Sequence, residues 1–377
     1  MERIIKKMRI LFIAPRYHTN LHFRIKALQE SGHEVVFLSQ YKGQSERYDA
    51  IEPKIIGFSP LYLFLDNLLR IFFKKETPNL WKLNLAWPRT SSLKKEIKDF
   101  SPDVIIVKGM KSVLSLIALW LAKRSAARSF FLLQIRNHYA NTPAKKIVLW
   151  FIKNILKAEG IISEIDNENN KHDPFYHYIP FATEVKDFEK KYFKDDKINI
   201  IGIGKFVERK AHLDLLKAIK KLRSKYDFNV TIVGERSDEK VLNMVKQHIE
   251  SERLGEIVDL RLNLSNQEVL NEYKKNDLFV LSSYNEPASY SVLEAMANKL
   301  PVICSDTNGT KCYIKEGENG YIFRSKNSDS LKNMIDILVN RRGNIVRMGK
   351  LAFDHVTENF SEEKFIANIN KLLNKDA

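Results

Sequence analysis

Residues 278–305, LFVLSSYNEPASYSVLEAMANKLPVICS, decide the fold class of this chain. The stretch opens with one apolar run, LFVLSS, and closes with another, PVICS, and both have the composition of buried strands. Between the two runs, a helix is expected to begin near Ser289. A strand, a helix and a second strand in succession form the repeating unit of a parallel sheet that helices cover on both faces. The stretch therefore predicts an α/β protein.

The same alternation of apolar runs and amphipathic stretches extends through the chain. In the second half, further strands are predicted at 198–204, 229–233, 257–262 and 320–323. In the first half, strands are predicted at 8–14, 34–38, 103–107, 129–135 and 160–163, and helices at 20–31, 111–125 and 144–157. The section 51–100 shows no regular pattern. Alternation over 377 residues predicts two doubly wound domains rather than one.

The two domains are expected to join near 175–197, where an apolar, aromatic run gives way to charged residues. We therefore predict two Rossmann-like domains, residues 1–180 and residues 181–377. The last helix, at about 361–375, is expected to pack back on the first domain. Because doubly wound sheets bind ligands outside the carboxyl ends of their strands, two such domains facing each other would form a binding cleft.

The net charge of +16 is concentrated in the first domain. Residues 1–180 contain 29 Lys and Arg against 16 Asp and Glu, a net charge of +13, whereas residues 181–377 contain 33 against 30, a net charge of +3. This asymmetry indicates an anionic partner such as phospholipid headgroups, a polyanionic substrate or nucleic acid. A solvated, lysine-rich surface is the alternative. Nucleic acid is not expected, because the sequence has no recognition motif and no basic and aromatic repeat.

Several features of the sequence favour a cytoplasmic location. The apolar run near the amino terminus is too short for a signal peptide, and the longest nearly uncharged apolar run, 112–122, is shorter than the ~20 residues of a spanning helix. The two cysteines, Cys304 and Cys312, have no spacing typical of a metal site or a disulfide framework. The segments 61–75 and 145–157 mix apolar and aromatic residues with lysines, which indicates peripheral contact with the anionic inner face of a membrane. Core helices with lysines at their ends are the alternative.

Glu286 and Glu294 stand eight positions apart around the predicted start of the helix at Ser289. The first N–H groups of a helix form an anion site that suits a phosphate. Ionised carboxylates only accept hydrogen bonds, so they suit hydroxyl groups on either side of a phosphate. A nucleoside-diphosphate sugar has this order of groups: ribose, two phosphates and sugar. The alternatives are that SVLE, 291–294, is a capping box in which Glu294 is structural, and that Glu286 is a solvated loop acid.

The stretch GIGKFVERKAH, 202–212, places glycines and two lysines at the end of another predicted strand. Gly204 allows the backbone to approach a ligand closely, and Lys205 and Lys210 supply positive charge for phosphates. Two surface lysines are the alternative, since the chain has 62 basic residues. The stretch is close to the dinucleotide fingerprint G-x-G-x-x-G, but Val207 occupies the third position, so a nicotinamide cofactor is not expected.

The run YNEPASYSVLEAMANKLPVICSDTNG, 284–309, followed by GENGYIF, resembles the retaining GT-B glycosyltransferases of family 4, also described as glycosyl transferases group 1. The shared pattern is E-x7-E, an alanine-rich helix and L-P-V-I. The segments SGHEVVFLS, SPDVIIVKG, YIPFATEV and GKFVERKAH resemble further parts of that family in the same order. The resemblance implies a GT-B architecture, in which two Rossmann-like domains face each other across a cleft.

The resemblance also implies roles for individual residues. The implied donor-binding residues are Gly204, Lys205, Lys210, Ser289, Tyr290, Ser291 and Glu294. Of these, Lys205 and Lys210 would hold the donor diphosphate, and Glu294 would accept a hydrogen bond from the ribose. Glu286 would be a catalytic residue beside the reacting carbon of the sugar. No metal and no other cofactor is implied.

The chain departs from the family pattern in its first domain. The usual Gly-Gly loop after strand one is replaced by APRYHTNLH, 14–22, so His18 and Asn20 become candidates on the acceptor side. At the strand end where the family often has a histidine, Arg136 nearly aligns and His138 stands two positions later. His138 is therefore the candidate for the catalytic histidine, and Arg136 is a third candidate on the acceptor side.

Two further departures lie near the predicted donor site. Ala211 replaces the usual glycine after Lys210, and Pro287, Ala288 and Ser289 replace the more familiar G-F-G. The second replacement changes the loop that would face the donor sugar, so the sequence does not predict which sugar is bound.

The function implied by the resemblance is a retaining glycosyltransferase, and so an enzyme. It would move a sugar from a UDP- or GDP-linked donor to a glycan or a lipid-linked acceptor, in the synthesis of bacterial surface polysaccharide such as lipopolysaccharide, O-antigen or capsule. Two alternatives remain open. One is another sugar-nucleotide enzyme on the same fold, such as an epimerase, and the other is a non-catalytic protein that binds a membrane surface or a polyanion.

Overall fold

The structure, a computed structural model, describes residues 6–43, 46–73, 84–109, 112–133, 143–166 and 173–374. The chain divides into two units, residues 1–182 together with 362–377, and residues 183–361. Each unit is built on one sheet, and the strand pairs described within both sheets are parallel. The predicted fold class, α/β with two Rossmann-like domains, is confirmed.

The first unit contains seven strands and six helices among its described residues. The strands are β1 (Arg9–Ala14), β2 (Glu34–Ser39), β3 (Lys54–Ile55), β4 (Val104–Lys108), β5 (Arg128–Leu133), β6 (Gly160–Ser163) and β7 (Tyr176–Tyr178). The helices are α1 (His22–Glu30), α2 (Pro60–Phe73), α3 (Thr90–Phe100), α4 (Val113–Ala122), α5 (Pro143–Trp150) and, from the end of the chain, α12 (Glu362–Leu373). A π-helical turn, Phe151–Ile155, continues α5. The strand order across the sheet is β3-β2-β1-β4-β5-β6-β7.

Strand β1 shows why these strands have apolar runs rather than an alternating pattern. Successive side chains of a strand point to opposite faces of the sheet. Ile10 and Phe12 are buried in one hydrophobic core, to which Phe365 of α12 also belongs, whereas Leu11 and Ile13 are buried in a second core. Both faces of β1 are therefore covered. A polar residue at every second position would be buried, so the strand is apolar throughout.

The second unit repeats this architecture with six strands and six helices among its described residues. The strands are β8 (Ile198–Ile203), β9 (Phe228–Gly234), β10 (Val258–Leu262), β11 (Leu278–Leu281), β12 (Val302–Ser305) and β13 (Gly320–Phe323). The helices are α6 (His212–Leu222), α7 (Glu239–Ser251), α8 (Asn266–Lys275), α9 (Tyr290–Ala297), α10 (Ser328–Val339) and α11 (Arg342–Phe360), of which α11 is the longest. The strand order is β10-β9-β8-β11-β12-β13.

The strands and helices predicted from the sequence are present, with ends that shift by about one or two residues for the strands. The prediction missed β3 and β7, because strands of two and three residues carry too little pattern to detect. It also missed α3, and it named the segment 61–75, most of which forms α2, only as a membrane-contact segment or a core helix. Within the described residues, none of the helices is both long and apolar enough to cross a membrane.

The strand order creates one switch point in each sheet. In the first sheet β1 lies between β2 and β4, and in the second sheet β8 lies between β9 and β11. The chain therefore leaves β8 and β11 in opposite lateral directions, and a crevice opens at their carboxyl ends. Both candidate stretches of the second domain, 202–212 and 278–305, pass through this region.

Candidate functional site

The segments that follow β8 and β11 are joined by hydrogen bonds at the switch point of the second sheet. The N–H of Tyr284 donates to the carbonyl of Arg209 over 3.0 Å, and the hydroxyl of Ser282 donates to the carbonyl of Lys210 over 2.9 Å. A 3₁₀ turn, Glu208–Lys210, carries the two basic residues to this position. The loop 282–289 and this turn therefore form one connected substructure at the carboxyl ends of the strands.

Glu286 lies in the loop after β11 and is paired with cations. Only 7% of its surface is exposed. The ammonium group of Lys210 donates to Oε2 of Glu286 over 2.7 Å, and the guanidinium of Arg209 donates to the same oxygen. The backbone carbonyl of Glu286 also accepts from the N–H of Gly309 over 2.9 Å. The alternative of a solvated loop acid is therefore wrong, because both the side chain and the backbone of Glu286 are held.

Lys205 has a different environment from Lys210, although both stand near the end of β8. Its ammonium group lies 2.7 Å from Oε2 of Glu235, and its side chain is 51% exposed. The side chain of Lys210 is only 13% exposed. The structure thus brings Lys210 to Glu286 and leaves Lys205 in an exposed ion pair, which is a weak interaction.

Helix α9 begins beside Glu286, as expected, with Ser289 as its N-cap residue and Tyr290 as its first residue. Within the described residues, the side chain of Ser289 caps no N–H group of this helix; its hydroxyl lies 2.7 Å from that of Ser291. The N–H of Ser289 donates to Oγ1 of Thr310 over a long 3.4 Å. The positive end of the helix dipole therefore lies close to Lys210 and Arg209, which favours the binding of an anion.

Glu294 has a partner on the neighbouring helix α8. Its carboxylate accepts a hydrogen bond from the hydroxyl of Tyr273 over 3.1 Å. Burial, and then the charge of Glu294, raise the pKa of Tyr273 well above its usual value, so this hydroxyl keeps its proton. The capping-box alternative for SVLE is wrong, because the N-cap is Ser289 and Ser291 already lies inside the helix. One capping box in the described residues is instead formed at the start of α8.

The loop after β8 is packed tightly enough to require glycine. A Cβ atom on Gly204 would lie 2.8 Å from Cδ of Lys210, and one on Gly234 would lie 2.3 Å from the carbonyl oxygen of Gly204. The Nε2 atom of His212 is 3.1 Å from the same carbonyl oxygen. Gly204 therefore allows the Lys210 side chain to pass over the backbone, Gly234 leaves room for the Gly204 carbonyl, and His212 lies within hydrogen-bond distance of that carbonyl.

The unit that carries this site is similar in sequence to known proteins. Residues 184–355 match the sequence model of a family described as glycosyl transferases group 1. The second unit is a glycosyl transferases group 1 domain. The resemblance to glycosyl transferases group 1 is thereby confirmed.

Relatives of this glycosyltransferase domain include two bacterial enzymes. The chain is 27% identical over 205 residues to alpha-monoglucosyldiacylglycerol synthase of Acholeplasma laidlawii, covering 54% of this chain and 50% of the relative. It is 27% identical over 295 residues to the poly(ribitol-phosphate) alpha-N-acetylglucosaminyltransferase of Staphylococcus aureus strain COL, covering 75% of this chain and 57% of the relative. The chain thus spans about half of each relative's length or slightly more.

Solved structures share the fold over the whole chain. A glycosyltransferase from Rickettsia africae has a TM-score of 0.72 at 17% identity, covering 99% of this chain and 100% of that one. HepE of Anabaena, in complex with UDP and glucose, has a TM-score of 0.72 at 14% identity, covering 98% of this chain and 100% of that one. At such identities the likeness shows the fold, and that fold is GT-B.

Several residues at the site of this glycosyltransferase domain were not predicted from the sequence. Arg209, His212 and Gly234 were not among the predicted donor-binding residues, although each lies within or beside the loop network. Ala211, where the family resemblance implies glycine, has a φ of +49°. This left-handed conformation favours glycine, so the alanine retains backbone strain directly after Lys210.

Candidates in the first unit lie at the carboxyl ends of β1 and β4. The amide oxygen of Asn20 accepts from the ammonium group of Lys108 over 3.4 Å. Burial lowers the pKa of Lys108 to about 8, an effect that Glu164 opposes and Arg24 adds to. Arg24 and Glu164 are themselves a buried ion pair, with 2.9 Å between Nη1 and Oε1. Lys108 was not predicted from the sequence. The feature that could have indicated it is its position as a charged residue at the end of an otherwise apolar strand.

The structure describes one of the three other first-unit candidates, His18. The backbone carbonyl of His18 accepts from the N–H of Leu21 over 2.9 Å, just before α1. Arg136 and His138 lie outside the described residues. Among the described residues, no group of three or more His, Cys, Asp and Glu side chains is placed to hold a metal ion.

His212 makes the stability of the glycosyltransferase domain depend on pH. Burial lowers its pKa from 6.5 to about 4, although the carbonyl groups of Gly204 and Lys205 oppose the shift. The unfolded chain therefore takes up a proton at a higher pH than the folded chain. Unfolding should become easier by on the order of 3 kcal/mol as the pH falls from about 6.5 to 4.

This dependence can be measured by urea unfolding across that pH range. His212→Gln can still donate to the carbonyl of Gly204 but does not titrate, so its free energy of unfolding should fall less steeply with decreasing pH. Equal slopes for the two proteins would show that His212 is not the titrating group. The matched variant is His248→Gln in α7, a partly buried histidine whose pKa burial also lowers; it should change the slope less than His212→Gln does.

Proposed function

We propose that this protein transfers a sugar from a nucleoside-diphosphate sugar to a glycan or lipid-linked acceptor, with retention of configuration at the anomeric carbon. The observation that supports this most is the cluster of Glu286, Lys210 and Arg209 beside the amino terminus of α9. It combines groups that suit a diphosphate with a carboxylate that suits a sugar, at a sheet position where doubly wound folds bind nucleotides.

The proposed donor has its diphosphate at the amino terminus of α9, with Lys210 as the main cation. Arg209 lies beside Lys210 and can add a second, planar group of donors for phosphate oxygens. Glu294 accepts from the ribose, and Glu286 contacts the sugar. HepE, which shares this fold, is known with UDP and glucose. This supports a UDP-linked donor, with GDP as the alternative base.

The proposed reaction begins when the bond between the anomeric carbon and the diphosphate breaks and the electron pair leaves with the phosphate oxygen. Lys210 and the helix dipole stabilise the charge that develops on the leaving diphosphate, and such stabilisation is usually the largest contribution to catalysis. The carboxylate of Glu286 stabilises positive charge on the sugar. The acceptor hydroxyl then attacks from the face that the diphosphate leaves, its proton passes to the departing phosphate oxygen, and the configuration is retained.

Relatives support an acceptor from the bacterial cell surface. One relative is named for a poly(ribitol-phosphate) acceptor, another for a diacylglycerol glycolipid, and a third, LpsE of Rhizobium meliloti, for lipopolysaccharide core biosynthesis. We propose that this chain acts in the synthesis of a surface polysaccharide of this general kind. Asn20, His18 and Lys108 are the proposed acceptor-side residues, since they lie in the first unit at the carboxyl ends of its strands.

A screen of UDP-, GDP- and ADP-sugars tests the proposed activity. A donor that binds the folded protein should raise its melting temperature. The same donor should be hydrolysed slowly without an acceptor, releasing free sugar and nucleoside diphosphate. An epimerase would instead return an altered sugar still attached to its nucleotide. A protein that neither binds nor hydrolyses any of these donors would refute the proposal.

Helix α2 supports peripheral contact with a membrane. Seven of its large apolar side chains are at least 42% exposed, namely Leu61, Leu63, Phe64, Leu65, Leu69, Ile71 and Phe72. Its one acidic residue, Asp66, is buried. So much exposed apolar surface marks an interaction site. We propose that α2 inserts into the interface of an anionic membrane, helped by the net charge of +13 in residues 1–180, and that the protein acts on its cytoplasmic face.

Flotation with vesicles that contain phosphatidylglycerol tests this contact. Phe64→Glu together with Phe72→Glu should reduce vesicle binding by about 100-fold, because burying each aromatic side chain contributes about 1.5–3 kcal/mol. The matched control is Ile337→Glu together with Val346→Glu, two exposed apolar residues of the second unit, which should leave binding unchanged. Equal binding by the two double variants would contradict the membrane proposal.

A further inference from the structure

A second candidate ligand site lies in the first unit, at the edge of the sheet opposite Asn20 and Lys108. It is a cavity of about 690 Å³ at the amino ends of β1, β4 and β5. Met8 precedes β1, Asp103 precedes β4, and Arg128 begins β5. Because the strands are parallel, the length of β4 separates this cavity from Lys108 by about 16 Å, at roughly 3.3 Å per residue.

The walls of this cavity carry a strong excess of positive charge. Its five cations are Lys6, Lys94, Lys98, Arg124 and Arg128. The single lining carboxylate, Asp103, accepts from the N–H of Arg9 over 2.7 Å. Arg128 is paired with Glu159 over 2.7 Å. Over the described part of the chain, Lys94, Lys98 and Arg124 have no carboxylate within ion-pair distance, so their charges are not neutralised by the protein.

Two of the unneutralised cations lie on α3, and the third lies just after α4. Lys94 and Lys98 stand four residues apart on α3, so their side chains lie on one face, where like charges repel. The guanidinium carbon of Arg124, just after α4, lies 3.7 Å from the centre of the Trp120 ring. Stacking of this kind orients the planar guanidinium, which can then offer two parallel hydrogen bonds to a phosphate.

The cavity also has an apolar floor. Met8, Ile97, Val104 and Leu121 line it and are buried. A site for a bare inorganic ion would not need such a surface, whereas the carbon part of a larger ligand would be shielded from water there. The volume is within the range of pockets that bind small organic molecules, about 300–1,000 Å³.

We propose that this cavity binds an organic phosphate, with the phosphate between Lys94, Lys98 and Arg124 and the carbon part against the apolar floor. The site lies in the first unit, whereas the donor residues lie in the second, so this inference goes beyond the proposed function and does not depend on it. A soluble phosphate ester and the headgroup of a phospholipid share this chemistry, and the experiment separates these two sources.

Titration calorimetry of the full chain with glycerol 3-phosphate tests the soluble source, with glycerol as the uncharged comparison. Flotation with vesicles of phosphatidylcholine containing phosphatidic acid tests the lipid source. The variant is Lys94→Glu, and the matched control is Lys95→Glu, the same charge change at the next position of α3. Lys95 is exposed and does not line the cavity. A thermal melt of each variant checks that it is folded.

The proposal predicts that Lys94→Glu weakens binding of at least one probe by tenfold or more, whereas Lys95→Glu changes it by less than about threefold, as expected for a charge outside the site. An effect with glycerol 3-phosphate identifies a soluble phosphate ester, and an effect only with vesicles identifies a lipid headgroup. The proposal is overturned if neither probe binds, or if both variants weaken binding equally. A failed donor screen would leave these measurements unaffected, since they report on the first unit.

Discussion

Glu286→Gln should lower the rate of sugar transfer by about 10²–10³-fold, the usual effect of removing one group that stabilises charge in the transition state. Glutamine keeps the size of the side chain and can still accept from Lys210 and Arg209, so the loop should stay folded. What it lacks is the negative charge that would stabilise the positive charge developing on the sugar. The measurement is kcat and KM with the donor identified by the screen.

The matched control for this variant is Glu235→Gln. Glu235 is also a carboxylate paired with a lysine near the same sheet edge, but its side chain is 44% exposed and its partner is Lys205. An exposed pair of this kind contributes at most about 1 kcal/mol, so transfer should fall by no more than about fivefold. If Glu286→Gln transferred sugar as fast as the unchanged protein, the catalytic role given to Glu286 would be wrong.

The sequence was sufficient to predict most of the fold because the strands are buried on both faces. Strands such as β1 and β11 are continuous apolar runs, and this property depends only on local composition. Helix α2 was less well predicted. Its residues are mostly apolar and seven large apolar side chains are exposed, so composition alone does not show whether the segment is buried in a core or contacts a partner.

The sequence predicts those residues of the candidate site that directly follow the carboxyl end of a strand. Glu286 and Lys210 were both selected because each follows a strand at its carboxyl end, and the structure brings them within 2.7 Å. Arg209 was not selected, since its partner Glu286 stands 77 positions away and a single arginine in a basic sequence carries no signal. Lys108 was missed because its low pKa arises from tertiary burial, which no local pattern reveals.

The mistaken capping box illustrates a further limit of local patterns. SVLE has the required spacing, but a capping box also requires that the serine be the N-cap residue. The chain turns into the helix at Ser289, two residues earlier than that pattern assumes. Glu294 is therefore directed to Tyr273 on the neighbouring helix, and a contact between two helices is set by packing of the whole unit.

Lys210→Met should also lower transfer by about 10²–10³-fold, and it should do so mainly through kcat. Methionine approximates the length of the lysine side chain and fills its place over Gly204, but it cannot neutralise the leaving diphosphate. The side chain of Lys210 is the least exposed of the three candidate cations, so its charge is screened least by water. Donor affinity should weaken less than kcat, because the N–H groups at α9 would still bind the diphosphate.

The comparison among the three cations makes this prediction specific. Arg209→Met should have a smaller effect than Lys210→Met, since the Arg209 side chain is 38% exposed, and Lys205→Met should have the smallest effect, since Lys205 is paired with Glu235. The family resemblance alone gives Lys205 and Lys210 the same role, whereas the structure separates them. Equal losses for Lys205→Met and Lys210→Met would mean that the loop 204–211 rearranges when the donor binds, and that the ion pair with Glu235 does not persist in the donor complex.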